Sequence, residues 1–418
     1  MDISKNRLKN IFSNYSKVFE NYFFTTVLQG ANIVIGLLLY PYLIKTLGPS
    51  NYGIYVFVCS NITFFNLFIS FGFTIPAIKA ISLHVDDKKM KSETLSMVIT
   101  AKCYLFLLST IIFSILLFTI PFFRENCLLY IIVYSTLIYE ILFSPWYFRG
   151  IQKIKIATYI ILIMRLLTVP FIFIFVKKND DLLIYALIVS LSTIIAPFIS
   201  VAYIKYKEDI QWYFIPIKSL KNIFRDSLPF FWSSALGIIK RETVTLIIGT
   251  CFNMKDVALY DLANKIITIP RLITTDINGA LFPKIVTDAR PALIKKIIRF
   301  ETFIGLIISL IIIVLGYWAV LVLGGKEMIE AYPLSIILSF TIFVGLIVGC
   351  YINYIFVPHH RYYFVTKNQF AALFSFIILC LLSLLFYKNL ISIILAYTIS
   401  GFFEIFYCKY LIKKHRLL

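Results

Sequence analysis

The sequence predicts an all-α integral membrane protein, with twelve transmembrane helices in two six-helix lobes and both termini cytoplasmic. Three observations predict it. Twelve apolar stretches each approach the roughly 20 residues that a helix needs to cross a hydrocarbon slab about 30 Å thick. Of the 40 Lys and Arg residues, 27 fall in alternate gaps between those stretches and only 7 in the other gaps. Basic residues collect on the cytoplasmic side of such proteins, so strict alternation fixes which gaps face inward. The longest polar interruption, 205–227, stands at the midpoint with six stretches on either side.

Composition supports the same class. Hydrophobic residues make up 60% of the 418 and charged residues 15%, against about 25% charged in soluble domains. The net charge of +19 is explained by loops facing anionic lipid headgroups, not by nucleic acid. The loops are too short for an extramembrane catalytic domain, and the first apolar stretch is of spanning length, unlike a cleaved signal peptide.

In chain order, residues 1–19 begin a basic amphipathic segment. Leu8, Ile11, Phe12, Tyr15, Phe19 and Tyr22 recur at helical spacing among Lys and Asn, as in a helix lying on the cytoplasmic surface. The first lobe, 20–204, holds crossings at 20–44, 52–78, 95–120, 128–148, 156–176 and 182–204. The linker 205–227 follows. The second lobe, 228–412, holds crossings at 228–250, 257–283, 300–323, 331–356, 368–387 and 390–412, before the tail 413–418. With six crossings each, both halves enter from the same side, so any internal repeat is parallel. Tyr55 and Tyr260 sit at an offset of 205 after the first and seventh crossings.

The cysteines carry no CxxC pair, and packing is their expected role. Cys127 and Cys251 both fall near outer loops. His359-His360 has no nearby carboxylate, so no metal site is expected.

A helix surrounded by lipid should be apolar on every side, and several crossings are not. In the eighth, Asp261, Asn264, Lys265, Thr268, Arg271, Thr275, Asp276 and Asn278 fall within an arc of about 160° at 100° per residue. The seventh carries Lys240-Arg241-Glu242 near its centre. Charges at that depth cost about 2.5–3.5 kcal/mol each and usually mark a transport pathway. Thr25, Gln29, Asn32 and Gly36 stripe the first crossing, and Thr63, Asn66, Ser70 and Thr74 the second. Polar faces on four equivalent helices lead us to expect a water-filled cavity between the lobes. Glu140 and Arg165, mid-span in the fourth and fifth crossings, are expected to pair or to serve transport, and Lys102 to snorkel toward the cytoplasm. Glu301 and Glu404 carry no assigned role.

Four stretches resemble a known family. They are Leu47-Gly48-Pro49 with Tyr52-Gly53-Ile54-Tyr55; Trp146-Tyr147-Phe148-Arg149-Gly150-Ile151-Gln152-Lys153; Leu228-Pro229-Phe230-Phe231; and Val257-Ala258-Leu259-Tyr260 leading to Leu281-Phe282-Pro283. In order and spacing they are similar to the polysaccharide-transporter branch of the superfamily that includes multidrug and toxin extrusion proteins, and within it to the O-antigen flippase type. Arg149 stands where relatives often have Gln, and Ala258 where many have Gly. The resemblance implies export of an undecaprenyl-diphosphate-linked oligosaccharide across the bacterial inner membrane by alternating access. Membrane lipids, a polysaccharide polymerase and a chain-length regulator are the implied partners, without nucleic acid or a resident cofactor. On that reading Lys240, Arg241, Lys265 and Arg271 meet the diphosphate or acidic sugars, while Gln29, Asn32, Asn66 and Asn264 meet hydroxyls. Glu242, Asp261 and Asp276 are then candidates for proton or sodium coupling. The alternatives are a multidrug or other lipid-linked-precursor exporter of the same superfamily, and a membrane polysaccharide polymerase, which usually needs a larger outer loop.

Overall fold

The computed structural model describes the backbone of residues 2–287 and 290–417, and the side chains of residues 20, 23–272, 274 and 290–417. Among the described residues there are helices and turns but no strands. The elements are α1 (Asp2–Ser70), α2 (Thr74–Leu83), α3 (Lys88–Thr119), α4 (Pro121–Glu125), α5 (Cys127–Ser135), α6 (Leu137–Leu142), α7 (Pro145–Gly150), α8 (Ile154–Phe175) and α9 (Leu182–Lys207). After the linker come α10 (Lys221–Cys251), α11 (Met254–Thr287), α12 (Pro291–Gly324), α13 (Ala331–Tyr351), α14 (Tyr362–Phe386) and α15 (Leu390–Lys414). Helix α1 includes the expected surface segment 1–19 from Asp2 onward; that segment's side chains lie outside the described residues.

Nine helical stretches among the described residues are long and apolar enough to cross a membrane. The first of them, Phe23–Leu83, runs 61 residues and doubles back at Gly48. There φ is 77°, a left-handed value that glycine alone adopts without steric cost. Pro49 then opens the returning helix, where its missing N–H is harmless. That stretch therefore holds two crossings. Helices α10 and α11 have spanning length without the apolarity, because they carry the charged stripes read from the sequence. With them the predicted twelve crossings are complete.

The chain forms two compact units. The first comprises Met1–Leu39 with Asn61–Phe231, and the second Tyr40–Ser60 with Trp232–Leu418. In the second unit the hairpin Tyr40–Ser60 meets α10 and α11 at backbone distance. A methyl group at Gly53 would overlap the Met254 carbonyl, and one at Gly249 would overlap the Phe57 ring. Helix α13 is the spine of this unit, packed against α11, α12 and α15, and it ends in a π turn, Ile352–Phe356.

In the first unit, the fourth crossing is broken into α5, α6 and α7. Pro145 ends its regular ladder, leaving the last carbonyls of α6 without helical partners. Lys102 occupies that break. Its Nζ donates to the Glu140 carbonyl at 2.7 Å and to Glu140 Oε1 at 2.6 Å. The expected snorkelling is thereby corrected, because the Lys102 side chain is 3% exposed. So is the expected Glu140–Arg165 pair: Glu140 is taken by Lys102, and Arg165 has no ion-pair partner among the described residues.

The linker is not loose either. Residues 211–215 run along α3, alternate residues meeting successive turns of that helix. Ser92 Oγ donates to the Gln211 carbonyl, and Ser96 Oγ accepts from Tyr213 N at 3.0 Å. Thr100 Oγ1 accepts from Ile215 N at 3.4 Å. Hydroxyls four residues apart share one helix face and replace the partners that a non-helical segment would otherwise lack. At the same end Lys153 holds Glu208 at 2.7 Å, and Lys88, at 2.8 Å from Asp209, holds that carboxyl below its usual range.

Removing one partner of a buried ion pair strands the other, at about 3–5 kcal/mol. Lys102→Met is therefore expected to lower the thermal unfolding midpoint of the detergent-purified protein sharply. The Lys102→Met/Glu140→Gln double variant should recover most of that loss.

Candidate functional site

The second unit contains a cavity of about 330 Å³ walled by Lys240, Arg271, Thr341, Gln369, Tyr397 and Glu404, among others. Its origin is visible along α13. Thr341, Gly345, Gly349 and Asn353 recur every fourth residue, so they stack on one face. At its centre two glycines present no side chain, and a methyl group built at Gly345 meets nothing within 4 Å. The missing side chains open the groove. A second cavity of about 210 Å³ continues along the same face past Arg271 and Thr341 to Asn353.

The polar groups come from four further crossings. Lys240 on α10 lies 3.8 Å from Glu404 Oε2 on α15, with its ammonium 5.4 Å from the Tyr397 ring centre. The other carboxylate oxygen, Glu404 Oε1, accepts from Asn368 Nδ2 at 3.0 Å and Gln369 Nε2 at 3.3 Å, both on α14. From α11, Arg271 Nη2 donates to Thr341 Oγ1 at 2.8 Å. Two cations (Lys240, Arg271), one carboxylate (Glu404), three amides (Asn353, Asn368, Gln369) and three hydroxyls (Thr274, Thr341, Tyr397) thus line the two joined cavities or stand directly behind their walls. Such a set can bind an anion and hydrogen-bond neutral hydroxyls beside it.

Of the residues singled out from sequence, Lys240 and Arg271 share this cavity. The others stand elsewhere. Lys265 on α11 donates to Asp261 Oδ2 and to Tyr52 OH at 3.1 Å, with its ammonium 4.7 Å from the Tyr40 ring centre. Tyr52 OH also donates to Asp261 at 3.2 Å. On α10, Glu242 accepts from Arg241 Nε at 2.9 Å and from Ser60 Oγ at 2.9 Å. These two groups tie the hairpin Tyr40–Ser60 to α10 and α11 within the second unit. Asn264 is partly exposed on α11. In the first unit Gln29 and Asn66 are exposed and Asn32 partly buried. The Asp276 side chain lies outside the described residues.

Sequence reasoning missed Glu404, Asn368, Gln369, Thr341 and Tyr397. The every-fourth-residue series on α13 was the available signal. Among the described residues no group of three or more His, Cys, Asp or Glu could hold a metal, and Cys127 and Cys251 are free thiols.

With Lys240 and Arg271 against Glu404, the cavity carries a net positive field, which raises the local concentration of anions. Gly345→Cys fits the open space. It should react several-fold faster with an anionic methanethiosulfonate than with a cationic one of similar size, and the reverse preference would place the dominant charge on Glu404.

Comparisons with known proteins give these features a lineage. The model of the polysaccharide biosynthesis protein family matches residues 18–289. An Escherichia coli strain K12 protein, provisionally named an O-antigen transporter, is 24% identical over 300 residues, 70% of this chain and 72% of its own. The Staphylococcus aureus capsular polysaccharide biosynthesis protein CapF is 25% identical over 205 residues, 47% of this chain and 51% of its own. Among solved structures, the lipid II flippase MurJ superposes with a TM-score of 0.72 at 15% identity, covering 94% of this chain and 87% of that one. A Vibrio cholerae MATE transporter superposes at 0.60 and 15% identity, covering 96% and 98%. These likenesses show the fold, a twelve-helix, two-lobed transporter architecture spanning the membrane many times. On the family match over residues 18–289, the chain is a member of the polysaccharide biosynthesis protein family.

Proposed function

We propose that the chain is a flippase moving undecaprenyl-diphosphate-linked O-antigen or polysaccharide repeat units from the cytoplasmic to the periplasmic leaflet of the bacterial inner membrane. Alternating access of its two halves would drive the exchange. The observation that carries this reading is the cavity of about 330 Å³ in which Lys240 and Arg271 stand beside hydroxyl and amide groups. Moving one sugar hydroxyl from water into an alkane-like medium costs roughly 4–8 kcal/mol when it finds no partner. A repeat unit carries many hydroxyls and a diphosphate, so unassisted crossing is negligible. A wall of amides, hydroxyls and cations supplies those partners while the polyprenyl tail stays in lipid.

In this reading Lys240 and Arg271 take the diphosphate or an acidic sugar, with Gln369, Thr341 and Tyr397 on neutral hydroxyls. Coupling to protons or sodium would use carboxylates that already share a cation, Asp261 with Lys265 and Glu242 with Arg241. Each can exchange that partner for an ion. Multidrug export is the second reading; two cations on one wall disfavour the cationic drugs such a transporter would carry.

A charge-assisted hydrogen bond contributes about 1.5–3 kcal/mol. Lys240→Ala and Arg271→Ala are each expected to slow the appearance of lipid-linked glycan in the outer leaflet about tenfold or more. Wild-type delivery by both variants at wild-type protein level would overturn the assignment.

A further inference from the structure

The cavity of about 330 Å³ carries one acid among its described lining residues, Glu404. A negative charge in the wall of an anion site repels the cargo that Lys240 and Arg271 attract, so its presence there calls for a function. Helix α15 brings it to the wall together with Tyr397 and Gly401, which precede it by seven and three residues and so share one helix face. All three line the cavity beside Lys240 of α10 and Gln369 of α14.

The pairing of Glu404 with Lys240 differs from the pairs Arg241–Glu242 and Lys265–Asp261. Those two are closed by hydrogen bonds, and none of their four residues walls the cavity. Lys240 Nζ instead stands 3.8 Å from Glu404 Oε2, beyond hydrogen-bonding range. Its second neighbour is the Tyr397 ring, so among the described residues its three N–H groups donate no hydrogen bond. Yet the Lys240 side chain is only 12% exposed. The carboxylate is anchored without it, because Asn368 and Gln369 both donate to Oε1. Lys240 is thus held by charge alone. Glu404 keeps two donors when the ammonium swings away on its flexible four-carbon stem.

We infer that Glu404 is a resident counter-anion, which holds Lys240 while the carrier is empty, yields it to the arriving diphosphate and reclaims it when the cargo leaves. The inference rests on the flippase reading and deepens it. A phosphate oxygen can approach Lys240 to about 2.8 Å and form the charge-assisted hydrogen bond that Glu404 does not, so the exchange of partners favours the cargo. Returning the ammonium to Glu404 offsets part of that gain and keeps the affinity moderate. Transport profits, because a site that binds too tightly does not let its cargo leave. Glu404 acts through Lys240 and is a positioning residue, not a contact for the diphosphate.

Titration of the detergent-purified protein with undecaprenyl diphosphate and with undecaprenol, read by native mass spectrometry, tests this beside delivery of lipid-linked glycan to the outer leaflet. Glu404→Gln should bind undecaprenyl diphosphate about tenfold more tightly. It should nevertheless deliver glycan several-fold more slowly at saturation, because release becomes limiting. Glu404→Asp keeps the charge but withdraws it from Lys240 by one methylene. It should shift affinity the same way by less, and it serves if Glu404→Gln does not fold. In a Lys240→Gln background most of the gain from Glu404→Gln should vanish. A merely structural Glu404 gives the opposite pattern, weaker binding with slower delivery. Affinity at or below the wild-type value in the folded Glu404 variants overturns the inference. So do tightening that persists in full without Lys240 and delivery that speeds up with affinity. A wild-type protein that binds undecaprenyl diphosphate no better than undecaprenol overturns instead the flippase reading on which the inference depends.

Discussion

Hydrocarbon cannot solvate charge, and that constraint organises most of what is polar in this chain. Every ionised group placed away from water needs a partner nearby, and the structure supplies partners in small local clusters. Lys102 is held by a carboxylate and a freed carbonyl of the same residue. Lys265 sits between Asp261 and two tyrosine rings. Glu404 distributes its two oxygens between one ammonium and two amides. Each cluster joins helices far apart in sequence, so the same interactions that make the charges tolerable also fix which helices are neighbours.

The crossings were legible because the bilayer imposes a length and the loops carry a charge asymmetry; both are local properties of sequence. The fold-back at Gly48-Pro49 was legible for the same reason. The polar stripes of α10 and α11 could also be read, and they led to Lys240 and Arg271 on one wall. What failed was whatever depended on tertiary distance. Glu404 looked solitary because Asn368 and Lys240 reach it from other helices. Lys102 looked like a snorkelling residue because the Glu140 carboxylate and carbonyl that hold it come from another helix and reach it only through the fold. The series Thr341, Gly345, Gly349, Asn353 reads as ordinary small-residue packing until the structure leaves its centre empty.

The walls of the cavity also bear on selectivity. Glycines on α13 leave backbone near the open space, while Lys240 and Arg271 present fixed charge and Thr341, Gln369 and Tyr397 adaptable hydrogen bonding. In the proposed flippase, a site of this kind would discriminate more by anionic charge than by the stereochemistry of any single sugar, because hydroxyls on either face of a ring would find a donor or acceptor, and Tyr397 would offer the ring a flat surface.

The segment between the halves has its own consequence. Being the longest polar run, it reads as a tether, yet Ser92, Ser96 and Thr100 stitch it to α3 and its own Ile210 is buried. It behaves as a splint belonging to the first half of the polypeptide. A protease added from that side would find little slack to cut before Pro216. If the gene were divided into two, the natural seam would fall after the splint, where α10 begins, and not in the middle of the polar run.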